Sequence, residues 1–154
     1  MTTLQESCVN VQQVEKKLPS NEDLITWLRN WDSDNVVRSA ERIKKTGEIF
    51  TPTALVQKIL SKLPAKSFSK VSETFCDPCC GNGQFLSEVL IKKLENGISL
   101  ENALSTIYGV EIMLDNVEVC RNRLLCEQEQ YRHIVERNIA WGDGLTFNNE
   151  SWDD

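Results

Sequence analysis

The chain of 154 residues is 40% hydrophobic and 26% charged, the proportions of a globular domain, and its length suffices to bury roughly 68–70% of the unfolded surface in one core. A net charge of −6 argues against a strong standalone grip on nucleic acid, because Lys and Arg neutralising phosphates supply most of that affinity. With no signal segment and no apolar run of bilayer length, the sequence predicts a cytoplasmic protein without a membrane role, its six cysteines reduced.

Residues 1–20 are polar and weakly patterned, a tail or a short helix. From Asn21, Leu24, Leu28 and Trp31 recur at helical spacing, and Trp27 sits four before Trp31, an aromatic stripe expected to face the core. Asp32 to Asp34 are placed to cap a second helix carrying Val36, Val37, Ala40 and Ile43, with Lys44 and Lys45 at its negative end and Thr46-Gly47 as its stop. Thr51 and Pro52 read as a cap and first-turn pair. The helix they open carries Leu55, Val56, Ile59, Leu60 and Leu63 and runs to Pro64. Ala65 to Ser72 reads as a linker. A strand near Thr74–Asp77 then enters a Gly-rich turn and a helix with Phe85, Leu86, Val89, Leu90 and Leu94 inward, stopped by Asn96-Gly97. A short helix follows from Ser99 to Glu101 onward, a second strand covers Ile107–Glu111, Asp115 is expected to cap a long helix with Val117, Cys120 and Leu124 inward, and a third strand covers Asn138–Trp141 before Gly142-Asp143-Gly144. Short apolar strands alternating with helices predict an α/β fold with a parallel sheet, because each parallel return needs a crossover.

Asp77, Glu111 and Asp143 each follow the end of a strand, and in an open parallel sheet the carboxyl ends of the strands form the ligand crevice. Gly81 and Gly83 allow close backbone approach, and the helix after them points its free N–H groups at the same place. A carboxylate beside such a turn repels a pyrophosphate and suits a cationic amino-acid group, so the turn reads as a site for S-adenosylmethionine rather than a dinucleotide.

In that order the chain resembles the N6-adenine-specific DNA methyltransferases of the Rossmann-like, S-adenosylmethionine-dependent class, as found in restriction-modification systems, in which the cofactor region precedes the catalytic motif. The resemblance is carried by Gly47-Glu48-Ile49-Phe50-Thr51-Pro52, by Asp77-Pro78-Cys79-Cys80-Gly81-Asn82-Gly83-Gln84-Phe85-Leu86, by Ile107-Tyr108-Gly109-Val110-Glu111-Ile112 and by Asn138-Ile139-Ala140-Trp141-Gly142-Asp143-Gly144-Leu145. It implies an N-terminal tail and helical region over residues 1–45 and the first part of a methyltransferase domain over 46–154. It also implies that Thr51 or its neighbouring backbone holds the cofactor carboxylate, Asp77 its amino group, Glu111 the ribose and Asp143 the adenine amine, with Ile112 on the adenine ring. Phe50, Pro52, Pro78, Gly81, Gly83, Phe85 and Gly144 complete the expected binding set.

No catalytic residue is expected in this chain. Family catalysis depends on a later Asn/Asp-Pro-Pro-aromatic motif that receives a flipped-out adenine, and the prolines here stand at 19, 52, 64 and 78, none adjacent. The resemblance therefore implies a chain cut before that motif, a first strand left with an open edge, DNA held through a separate recognition domain, and a second chain able to complete the sheet. The alternatives are a non-catalytic cofactor-binding or regulatory module that pairs with another methyltransferase chain, or a fragment of an RNA or protein methyltransferase.

Other features have plainer readings. Cys76, Cys79 and Cys80 lack a second Cys pair at ribbon spacing, so no metal site is expected. His133, Lys58, Lys62, Lys66 and Lys70 are expected to face solvent.

Overall fold

The structure, a computed structural model, describes residues 17–31 and 38–152. Three parallel strands, β1 (Phe75–Asp77), β2 (Ile107–Glu111) and β3 (Ile139–Trp141), form a sheet in that order. The register sets Phe75 beside Ile107, Asp77 beside Gly109 and Glu111 beside Trp141. All three strands therefore open toward the same rim, and the α/β expectation holds. The strands are short and β2, central, is buried along nearly its whole length, as a sheet covered on both faces requires.

Helix α1 (Asn21–Arg29) begins at Ser20, whose side chain accepts from the Asp23 amide while the Asp23 carboxylate returns to the Ser20 amide, a capping box. Leu24 and Leu28 are buried, and Trp27 and Trp31 lie half-buried beside them with ring centroids 5.1 Å apart, so the stripe meets the core through its leucines and flanks it with its indoles. Helix α2 (Ala40–Thr46) starts at a Ser39 cap and ends at Gly47 in the left-handed conformation. Its expected cap at Asp32–Asp34, with Val36 and Val37, lies outside the described residues. Since Arg38 and Ser39 are not helical, the helix that carries Ile43 begins later than its spacing suggested. It buries no side chain, and the expected apolar face is replaced by charged contacts described below.

Helix α3 (Thr53–Leu60) is capped at Pro52, not Thr51, and only Val56 and Leu60 are buried. Leu55, Ile59 and Leu63 are exposed, because an apolar stripe that wide exceeds what one neighbouring helix covers. The expected linker contains helix α4 (Lys66–Ser69), whose Phe68 is buried and stacks on Phe75 with centroids 5.2 Å apart. One aromatic residue in a polar run gives no periodic signal, and so the helix was not legible.

Helix α5 (Gln84–Glu95) runs behind the sheet with most of its surface covered, and its Leu86, Val89, Leu90 and Leu94 form the centre of the core with Ile107, Val117, Leu124 and Ile139. It ends at Asn96 and Gly97 as expected. The α1 side chain Asn21 donates to the carbonyls of Leu94 and Ile98, and Arg29 grips the buried Glu88 at 2.8 and 3.0 Å, fixing α1 across it. The buried Lys93 ammonium donates to the Glu73 carbonyl at 2.8 Å, and burial pulls its pKa down.

Helix α6 (Leu100–Leu104) is capped by Ser99. Helix α7 (Leu114–Leu125) is capped at Met113 rather than Asp115, which sits in the first turn and faces α2. Helix α8 (Arg132–Asn138), with no counterpart in the sequence reading, buries Ile134 and Val135 before β3. His133 and the four lysines singled out above are exposed. After β3 the chain turns back through a 3-10 helix (Asn149–Trp152) that seats Trp152 against Tyr108 and Phe147.

Replacing Phe68 by Ala removes a buried ring from the underside of β1. Urea denaturation is expected to show a loss of about 3–5 kcal/mol, whereas a linker residue would change stability by less than about 0.5 kcal/mol.

Candidate functional site

The turn after β1 is built by hydrogen bonds that the sequence order makes compulsory. Asp77 Oδ1 accepts from the Cys79 amide at 3.0 Å, folding the chain back on the strand end. The Cys80 amide then donates to the Val110 carbonyl at 3.0 Å, and the Gly83 amide to the Cys80 carbonyl at 2.8 Å. Gly83 has φ +85°, and a Cβ there would stand 2.8 Å from the Cys120 sulfur, so this position needs glycine for both conformation and space.

Glu111, at the end of β2 and only 8% exposed, ties this turn to the next one. Its Oε2 accepts from the Gly81 amide at 2.9 Å and its Oε1 from the Met113 amide at 2.8 Å. A carboxylate offers about four lone-pair sites, so one acceptor position on each oxygen stays free for a ligand. The third turn is locked in the same way: the Gly142 amide donates to the Glu111 carbonyl at 3.0 Å, Asp143 Oδ1 accepts from the Leu145 amide, and a Cβ at Gly144 would collide with the Pro78 carbonyl oxygen. The indole N–H of Trp141 donates to the Ile112 carbonyl at 3.0 Å.

These turns border a cavity of about 530 Å³. Of the residues expected at a cofactor, Phe50, Pro78, Gly81, Glu111, Ile112, Asp143 and Gly144 line it. Asp77 and Phe85 line a separate apolar groove of about 320 Å³ outside β1, together with Ile59, Leu63 and Phe75, and Pro78 is common to both spaces. Thr51, Pro52 and Gly83 line neither: Gly83 is buried under the turn, and Pro52 opens α3. The upstream segment contributes residues 46–50, in which Glu48 and Ile49 belong to the motif quoted above but not to the expected binding set, and α7 contributes Asn116. Asn116 follows the misassigned cap at Asp115, which is why its role was not legible. Cys79 also lines the cavity and Cys76 is exposed, while Cys80 is buried beside Cys120. Among the described residues no three His, Cys, Asp or Glu side chains converge as metal ligands, and no helix is long and apolar enough to cross a membrane.

The electrostatics of the cavity are one-sided. Its lining holds Glu48, Glu111 and Asp143 and, among the described residues, no Lys, Arg or His. Burial alone would raise Glu48, but hydrogen bonds from Asn116, Arg42 and Arg38 outweigh it and hold the carboxyl below its ordinary range. Asp77 goes the other way: burial raises its pKa, the Glu111 charge adds to the effect, and the Cys79 amide offsets only part of it. Cationic side chains to face a pyrophosphate are therefore lacking among the described lining residues, while Glu111 and Asp143 offer acceptors for hydroxyl and amino groups beside the apolar surfaces of Phe50, Ile49 and Ile112.

Residues 37–154 match the family model of the N-6 DNA methylases. Over 102 residues the chain is 34% identical to the Type II methyltransferase M.VspI of Vibrio sp. (strain 343), an overlap covering 66% of this chain and 21% of that protein. The chain thus spans about a fifth of the length of this curated relative. No solved structure gives a significant match.

The raised Asp77 pKa means that its ionised form is disfavoured in the folded chain, so its contribution to stability is complete below the unfolded value and declines as pH rises through the folded one. Asp77→Asn keeps the acceptor for Cys79 and removes that charge. At pH 7 the melting temperature of the ligand-free chain is expected to rise by roughly 2–4 °C, and the gain is expected to vanish below about pH 4. A lower melting temperature at pH 7 would contradict this account.

Proposed function

This chain belongs to the N-6 DNA methylase family, and on that premise we propose that its cavity holds S-adenosylmethionine for methyl transfer to the N6 amine of adenine in DNA. The observation that carries the reading is a cavity at the carboxyl ends of three parallel strands that is lined by Glu111 and Asp143 and, among the described residues, by no Lys, Arg or His. A sulfonium nucleoside brings two ribose hydroxyls and an amino-substituted ring, for which Glu111 and Asp143 offer acceptors there, and a cationic amino group, for which Asp77 stands in the adjoining groove. When bound, this cofactor supplies an electrophilic methyl group.

In this reading Glu111 accepts the ribose hydroxyls on the lone pairs its backbone partners leave free, Asp143 accepts from the adenine amine, and Ile112, 61% exposed, packs on the ring. Phe50 and Gly81 close the middle of the cavity, where a Gly81 Cβ would come within 3.4 Å of the Phe50 ring. Asp77, in the adjoining groove that shares Pro78 with the cavity, is assigned the amino group of a methionine moiety that reaches past Pro78. Burial disfavours its ionised form, and a cation arriving beside it offsets that cost. Pro78 and Gly144 fix the spacing between the two ends, and Gly83 and Phe85 support the turn from beneath. Thr51 and Pro52 contribute through the backbone that carries Phe50. The chain divides into an N-terminal region through residue 45 and the cofactor domain from residue 46 onward.

Positioning of the target adenine needs residues these 154 positions do not include, since no two prolines are adjacent. We place them on a further strand that pairs with β1. Among the described residues β1 pairs with β2 alone, and the apolar groove beside it exposes Ile59 and Leu63 next to Asp77. The strand comes from another segment or from a second chain, and DNA is held through a separate domain. This agrees with the chain's acidic charge.

Calorimetry with S-adenosylhomocysteine is expected to show one site on the wild-type chain and at least a tenfold weaker one in Asp77→Ala, the loss of one charge-assisted contact. No binding by the wild type would overturn the cofactor assignment, and equal binding by the variant would overturn the role of Asp77. Transfer of labelled methyl groups to unmethylated DNA by this chain alone is expected to be absent.

A further inference from the structure

One wall of the cavity is held in place by charge rather than by packing. The wall is Thr46–Phe50, and the helix that delivers it, α2, buries no side chain; Ile43, its one large apolar residue, is 39% exposed. What attaches this unit to the rest is a group of two guanidiniums and two carboxylates. Arg42 donates to Glu48 at 2.6 Å and to both Asp115 oxygens, and Arg38 donates to Glu48 at 3.1 Å and to the Asn116 carbonyl oxygen. The Asn116 side chain completes the group by donating from Nδ2 to Glu48. Glu48 and Asn116 both line the cavity and are bonded to each other, so this bond joins the wall to α7 at its border.

We propose that Arg38, Arg42, Glu48, Asp115 and Asn116 act as a fastening that holds the Thr46–Phe50 wall against the start of α7, and that these positioning residues set how long the ligand of the cavity stays bound. The proposal rests on the reading of the cavity as the cofactor site. Exposed ion pairs contribute little, but this group differs in two respects. The Arg38 and Glu48 side chains are only 12% and 10% exposed, and the pairs are multidentate within one network, where each bond orients the next. The Arg38 guanidinium also lies 5.6 Å from the centre of the Phe50 ring, which in turn faces Gly81. Displacement of Arg38 thus reaches the glycine turn through two contacts.

The hinge for such a movement is in the same place. Gly47 ends α2 with φ +67° and has nothing within 4 Å of where a Cβ would be, so the backbone can change direction there without displacing a neighbour. With no apolar face to anchor α2, opening the wall requires only that the ionic group part, and a ligand that bridges the wall and α7 favours the closed form by linkage.

The test uses the full chain and Arg42→Met, Arg42→Lys and Asp115→Asn. Hydrogen exchange without ligand is expected to be about tenfold faster over residues 43–50 in Arg42→Met and Asp115→Asn, with exchange in α5 unchanged and Arg42→Lys between variant and wild type. Stopped-flow dissociation of S-adenosylhomocysteine is expected to speed up by a similar factor with little change in association. The ligand is a zwitterion without net charge, so raising salt toward about 1 M, where screening acts beyond about 3 Å, should speed dissociation from the wild type but not from Arg42→Met. Unchanged exchange over 43–50 in both charge-removing variants would overturn the fastening, as would a parallel rise in α5, which would make the group a support of the whole fold. Should the wild type fail to bind the ligand, the cofactor reading falls, and the exchange measurement still decides the fastening.

Discussion

The bifurcated hold of Glu111 on Gly81 and Met113 is the constraint on which the site depends. It joins the turn after β1 to the turn after β2, and the Glu111 carbonyl joins both to the turn after β3 through Gly142. From Met113 the chain passes directly into α7, whose first turn presents Asp115 and Asn116 to the arginines of α2, and from there Glu48 and Phe50 lead back to Gly81. A circuit of polar contacts, closed by the Phe50 ring against Gly81, therefore borders the cavity. A buried carboxylate in such a position is costly unless its acceptors are used, and here the backbone satisfies half of them and leaves the inward half for a ligand. A site formed this way exists before its ligand arrives, and binding then costs little reorganisation.

The fold beneath this circuit is simple by comparison. α5 lies against the sheet with apolar residues on nearly every side, α1 is strapped across it by Asn21 and Arg29, and the sheet contributes only short strands. The division of labour is physical: a buried interior fixes the strand ends, and the polar turns after them line the cavity.

Where local signals were strong, the sequence led to the structure. β2 falls on Ile107–Glu111 as expected because its apolar run is bounded by Ser105-Thr106 before and by Met113 in the α7 cap after. α5 stops where Asn96-Gly97 requires. Seven of the twelve expected binding residues share one cavity, since a strand end followed by a tight turn can point in few directions. The misreadings came where two local signals compete or where tertiary contact decides. Thr51 and Asp115 both look like helix caps, but each helix starts at a neighbouring residue, and Asp115 is occupied by Arg42 instead. The attachment of α2 was illegible because opposite charges distant in sequence leave no periodic trace, and Phe68 was missed because a lone aromatic residue carries none.

The contact between Gly144 and the Pro78 carbonyl has one more implication. It places the outer turns of the sheet, after β1 and after β3, against each other with no room for a methyl group. Neither turn can be enlarged or retuned by itself: a change that suits a different base-like moiety at the Asp143 end is transmitted as a displacement to the Asp77 end. Altered ligand preference is therefore expected to need paired substitutions on both turns, or changes on borders outside that steric lock, the Thr46–Phe50 wall and the start of α7.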